Sequence, residues 1–140
     1  MPERDKVLAV VREWMVKAEN DLKTAAHTLE LGDDCPTDTV CFHAQQCVEK
    51  YIKASLVVDR IDFPKTHDVE ALAALMPKRA RPNLSAAEAA KLCDYATGAR
   101  YPGWGDIPLS EARRAVALAR RIRKQIRAKL PREVLRRSRH

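Results

Sequence analysis

Glycine is scarce in this sequence, at 4 of 140 residues, and aromatic side chains make up only 5%. A β-sandwich or barrel needs aromatic and β-branched strands joined by frequent glycine turns, so an all-β fold is excluded. No apolar run approaches the ~20 residues that span a bilayer. Asp5, Arg12 and Glu13 interrupt the first apolar stretch before it can read as a leader peptide. The expectation is a cytoplasmic protein with no membrane partner.

Cysteine spacing excludes more. Cys35, Cys41, Cys47 and Cys93 contain no C-x-x-C pair, so neither a zinc ribbon nor a redox motif is present, and the three in apolar-periodic segments read as small buried hydrophobes. The phosphate loops G-x-x-x-x-G-K-[ST] and G-x-G-x-x-G are absent, as is H-E-x-x-H. Ser55, Ser85, Ser110 and Ser138 lie in no nucleophile-elbow context. No metal and no cofactor are expected.

What is present is 46% hydrophobic residues and a net charge of +7. The charge is uneven. Residues 1–99 hold 13 Lys/Arg against 16 Asp/Glu, a balance of −3, whereas residues 100–140 hold 13 against 3, a balance of +10. A basic terminal segment suits nucleic acid, nucleotide or an acidic partner. The plainer alternative is a solvated helix face with a basic tail.

A chain of this length makes one domain. Trp14, Ala18, Leu22, Ala25 and Leu29 recur with a 3.6-residue period, extended upstream by Val7, Val10 and Val11, which predicts a helix over 4–31. A second helix is expected over 38–59, a short third over 68–75, a fourth to about 99 and a fifth over 110–130. Ser85-Ala-Ala-Glu88 is a capping box that opens the fourth. On the fifth, Ala112, Ala115, Val116, Ala119, Ile122 and Ile126 face inward; the arginines and lysines, Arg123 among them, take the outer face. Residues 1–130 are therefore expected to form an all-α up-and-down bundle of four long helices plus one short one. Residues 131–140 are expected to be a frayed basic tail.

Polar residues stand where a bundle does not need them. Gln46, Glu49, Lys50 and Lys53 share one face of the second helix, and Lys17 and Asp21 form an i, i+4 pair on the first. His43 reads as half-buried and satisfied. Arg100-Tyr101-Pro102, just after the fourth helix and followed by Trp104, can present a fixed guanidinium fork to phosphate; alternatively it is a helix stop whose Tyr and Trp pack on the bundle.

Four blocks occur in order: Trp14…Lys17-Ala18…Asp21-Leu22…Ala25, then Phe42-His43-Ala44-Gln45-Gln46-Cys47-Val48-Glu49-Lys50-Tyr51-Ile52-Lys53-Ala54, then Thr66-His67-Asp68-Val69, then Ala99-Arg100-Tyr101-Pro102. The ordered set resembles the HEPN domain family (higher eukaryotes and prokaryotes nucleotide-binding domain) over roughly residues 10–128. The resemblance implies a four- or five-helix bundle, a homodimer and nucleotide or RNA binding. It also implies a minimal nucleotidyltransferase as partner, some such pairs acting as toxin and antitoxin. The nucleotide- or phosphate-binding residues it implies are Gln46, Lys50, Lys53, His67, Asp68, Arg100 and Tyr101. The ribonuclease branch carries an Arg followed four to six residues later by a His in one late helix. Arg100 has no His in that window, and the only match to the spacing, Arg60 and His67, spans the loop interrupted by Pro64. The sequence therefore favours a non-enzymatic binding module over a metal-independent ribonuclease toxin, with a helical protein-interaction module as the third reading.

Overall fold

Val40, Ala44, Val48, Tyr51 and Ile52 leave one helix almost no face for water. In the computed structural model, which describes residues 2–136, this helix is α2 (Thr37–Val58), and fourteen of its 22 residues are buried. The other helices are α1 (Pro2–Leu29), α3 (Val69–Leu75), α4 (Ala86–Ala96), α5 (Leu109–Arg127) and the single turn α6 (Arg132–Leu135). No strand occurs among the described residues, so the fold is an all-α bundle. α2 is its axis, touching α1, α3, α4 and α5.

Side-chain pairs fix the directions. From Asp21–Lys50 to Glu19–Tyr51, numbers fall along α1 as they rise along α2, so these helices run antiparallel. Tyr95–Glu111 and Glu88–Arg121 make α4 and α5 antiparallel in the same way. The core is Val11, Ala18 and Ala25 of α1, Val48, Tyr51 and Ile52 of α2, Leu72, Leu92, and Ile122 and Ile126 of α5, all at most 1% exposed. Alanine at 18, 25, 44, 115 and 119 lets the helices approach closely, while larger aliphatic side chains fill the space between them.

The helix starts follow their local chemistry. Ser85 Oγ accepts from the Glu88 N–H at 3.1 Å while Glu88 accepts from the Ser85 N–H at 3.0 Å, so the capping box forms in both directions. Asp68 caps α3 by accepting from the Ala71 N–H, and its own N–H is held by Thr66 Oγ1.

Three expectations need correction. Val10, counted with the inner face of α1, is 41% exposed, because Val7, Val11 and Trp14 already fill that side. Arg123 does not lie on the outer face of α5: it turns toward α1 and clamps Glu19 with three hydrogen bonds of 2.8–3.0 Å. The tail does not fray at Pro131. Pro131 ends α5 as expected, but α6 follows, with Val134 buried against the core, Glu133 paired with Arg4 at 2.6 Å, and its carbonyl accepting from Arg12. Residues 137–140 of that tail lie outside the described residues.

Burial predicts which truncations matter. Ile122→Ala should lower the unfolding free energy by ~2–5 kcal/mol, as deep aliphatic truncations do. Val10→Ala should move it by less than ~0.5 kcal/mol, as at an ordinary surface site. Urea unfolding of both variants checks this, and equal losses would contradict the assigned core.

Candidate phosphate-binding site

The polar stripe of α2 divides into two neighbouring clusters. The inner one surrounds Glu49, which is 2% exposed. Its carboxylate accepts from Lys53 Nζ at 2.8 Å, from Gln45 Nε2 at 2.9 Å and from His67 Nδ1 at 2.8 Å. Lys53 also lies 5.3 Å from the Trp14 ring centroid and 5.6 Å from that of Phe63, a cation held over two aromatic rings. Gln46 donates to Gln45 Oε1, and Gln45 donates on to Glu49 and the His67 carbonyl. Burial pushes the Glu49 carboxyl up, but the bonds from Lys53, Gln45 and His67 outweigh it, and the group is held below its ordinary value. An ionised carboxylate can only accept, so His67 Nδ1 carries the proton.

The outer cluster centres on Arg100. Its guanidinium carbon sits over the Phe42 ring, 4.1 Å from the centroid, a cation–π contact that holds the side chain against α2. Among the described residues no carboxylate lies within ion-pairing distance of Arg100, and its side chain is exposed. Beside Phe42, His43 Nδ1 lies 2.8 Å from Asp21 Oδ1, and Lys50 Nζ lies 2.6 Å from the other Asp21 oxygen. A cavity of about 330 Å3 is lined by Asp38, Thr39, Phe42, His43 and Arg100. A second, of about 540 Å3, lies on the far side of Arg100 under the loop that carries Tyr101.

That loop is tied at both ends. Gly98 leaves room for the Trp104 ring, which a Cβ would meet at 3.0 Å. Gly103 and Gly105 take φ of +95° and +96°, a region costly for any side chain. Thr37 Oγ1 donates to the Ile107 carbonyl at 2.7 Å, pinning the loop's end to the start of α2. Trp104 thus packs on the bundle but stays 47% exposed, and Tyr101 is 65% exposed.

The residues singled out in the sequence therefore separate. Arg100 and Tyr101 share a rim, and Lys50 belongs to the Asp21–His43 group next to it. Lys53, His67 and Gln46 are bound into the Glu49 cluster, and Asp68 serves as a helix cap. Lys50 and Lys53 share a face of α2 but not an environment: the Lys53 side chain is only 10% exposed between Glu49 and the two rings. Asp21 bonds Lys50 and His43 across the helix interface, not Lys17 along its own helix. Arg60 bonds Glu3 at 3.2 Å while His67 bonds Glu49, so these two answer to different carboxylates. Among the described residues no group of three His, Cys, Asp or Glu side chains converges as a metal site would. Phe42 is what sequence reading missed: it stood in a quoted block, but nothing in the chain order announces an aromatic platform for an arginine 58 positions later.

A third cluster closes the α1–α2–α5 junction. Glu19 accepts from Arg123 and from Tyr51 Oη at 2.7 Å, and Arg127 reaches Tyr51 at 3.4 Å. Burial raises the Glu19 carboxyl, the bonds from Arg123 and Tyr51 lower it by more, and the net shift is downward. Cys41 and Cys47 are pushed up to about 12 by burial, so both stay protonated thiols.

Five carboxylates, Glu19 and Glu49 together with Glu88, Glu111 and Glu133, are held below their ordinary value and set the pH response. Each stabilises the fold fully above the unfolded value near ~4.3 and loses that contribution as pH falls through the lower folded value. Stability should therefore drop on acidification below pH ~4.3, and Glu49→Gln should flatten that drop. Lys53→Ala should cost ~3–5 kcal/mol at neutral pH, because it strands a buried charge. Urea midpoints across pH ~2–7 check both; an unchanged pH profile in Glu49→Gln would contradict the buried charge.

The chain was compared with known proteins. The family model for the HEPN domain matches residues 11–129. The crystal structure of TT1696 from Thermus thermophilus superposes with a TM-score of 0.69 at 26% identity, covering 86% of this chain and 98% of that one. No curated protein matches. With the family model spanning α1 from Val11 through the end of α5, the chain belongs to the HEPN domain family.

Proposed function

We propose that this HEPN domain is a non-enzymatic module that binds the phosphate of a nucleotide or RNA at Arg100, dimerises, and pairs with a minimal nucleotidyltransferase. The observation that carries the binding reading is the guanidinium held over Phe42 with no carboxylate partner among the described residues. Arginine grips phosphate with two parallel hydrogen bonds, and the ring holds the side chain in place before the ligand arrives. Asp21 neutralises Lys50, so Arg100 supplies the uncompensated charge and Lys50 a nearby donor. Exposed Tyr101 stands beside it to pack against whatever carries the phosphate. The dimer and the nucleotidyltransferase partner rest on family membership.

A ribonuclease toxin is the second reading, favoured by one observation: His43, oriented by Asp21, lines the same cavity as Arg100. An arginine holding phosphate next to a histidine oriented by a carboxylate has the parts for proton transfer to a ribose phosphate. Against it stands the missing late-helix Arg–His spacing.

Three outcomes test these readings. Calorimetric titration with AMP at fixed salt should show Arg100→Ala weakening binding about tenfold or more, the loss of one charge-assisted pair. Arg120→Ala, a solvent-exposed charge on α5, should change it less than about twofold; equal losses would mean diffuse electrostatics. Total RNA incubated with the protein alone should stay intact, whereas cleavage abolished by His43→Ala would establish the second reading. Light scattering should give twice the 15.8 kDa chain mass, and a monomer at micromolar concentration would refute the dimer.

A further inference from the structure

Away from Arg100, α1, the end of α5 and α6 enclose a cleft of about 340 Å3. Its floor is aliphatic: Met15 and Val134 are buried, Leu135 is half-buried, and Val16 is 56% exposed, among the most exposed large hydrophobic side chains described. Its rim is basic: Arg12, Lys23, Arg127 and Arg136. Among the described residues that line the cleft Glu19 is the one acid, and it is already engaged by Arg123 and Tyr51. Among the described residues Lys23 and Arg136 pair with no carboxylate. Arg120 and Lys124, at i−7 and i−3 from Arg127, extend the positive face along α5.

The chain itself shows what this surface accepts. At one end of the cleft Glu133-Val134-Leu135 docks on α1. The Glu133 carboxylate lies 2.6 Å from Arg4, its carbonyl accepts from Arg12 at 3.0 Å, and Val134 keeps only 4% of its surface. An acid followed by aliphatic side chains is thus already seated there, and the cleft continues along α1 toward Val16 and Lys23 with the same chemistry left unpartnered.

We propose that this cleft is a docking groove for an acidic segment of a partner protein that carries aliphatic side chains. Its Val, Leu or Ile residues cover Val16 and Leu135, and its carboxylates meet Lys23, Arg127 and Arg136. Apolar anchors inside a charged rim are the usual anatomy of such an interface, the anchors giving affinity and the rim register. Single-stranded nucleic acid fits less well: it needs aromatic faces for its bases, and among the described residues no aromatic side chain lines the cleft. The proposal is independent of phosphate binding at Arg100.

The test is fluorescence anisotropy of the full chain with the probe fluorescein-Glu-Val-Leu-Glu-Glu-Leu-Leu-Glu at physiological salt. Val16→Glu and Lys23→Glu should each weaken binding about tenfold or more, as expected for a central anchor and a facing charge. Both positions are exposed, and circular dichroism checks that both variants fold. Arg114→Glu, the same change of charge on the α4 side of α5, should shift binding less than about threefold. The proposal is overturned by no binding to wild type, or by equal binding of a peptide with Gly in place of Val and Leu, which would mean charge alone. It is also overturned if all three variants are affected alike, or if oligouridine displaces the probe and binds the cleft with the same sensitivity to Val16→Glu and Lys23→Glu, which would make the cleft a nucleic-acid surface.

Discussion

A carboxylate ionised at the centre of a helix bundle constrains everything near it, and here that group is Glu49. Removing a charge from water is tolerated only where other groups replace the lost solvation. Lys53, Gln45 and His67 do so from three directions. Each bond fixes an element: Lys53 draws in Trp14 of α1 and Phe63 of the α2–α3 loop, and His67 fixes the start of α3. Gln45 and Lys53 are buried in these bonds, whereas His67 commits Nδ1 to Glu49 and keeps its ring 59% exposed, so the polar groups that reach solvent on that side of α2 are His67 and the neighbouring group of His43, Lys50 and Arg100.

That division gives the site its character. A bundle that buried all its polar residues would offer no recognition, and one that exposed them all would offer an undirected field. Here three donors satisfy the inner carboxylate, and the outer cluster has an arginine that lies over a ring and lines a cavity. The loop after α4 contributes by construction: two glycines at positive φ, Trp104 against Gly98 and the Thr37–Ile107 bond hold Arg100 and Tyr101 at the rim.

Helices and caps were legible in the sequence because they are local. The Ser85–Glu88 box depends on residues three apart, and the inner face of α5 on a repeat along a single helix; both formed as read. What was not legible depends on partners distant in sequence. Lys53 reads as one of two lysines on a face, and only the packing of Trp14 and Phe63 turns it inward. Arg123 looks like its arginine neighbours until Glu19, 104 residues earlier, claims it. Val134 occurs in a basic, tail-like stretch, and its burial needs the apolar side of α1. Arg100 stands out in the sequence by its position after a helix and before a proline, whereas Phe42, the ring beneath it, carries no local signal.

The most direct measurement is an amide chemical-shift titration of the uniformly labelled protein with AMP. Phosphate gripped by Arg100 held over Phe42 predicts saturable shifts confined to residues 38–43, Lys50 and the loop 98–107, lost in Phe42→Leu as well as in Arg100→Ala. Shifts spread along the basic face of α5, or a Phe42→Leu protein that binds as wild type does, would contradict it.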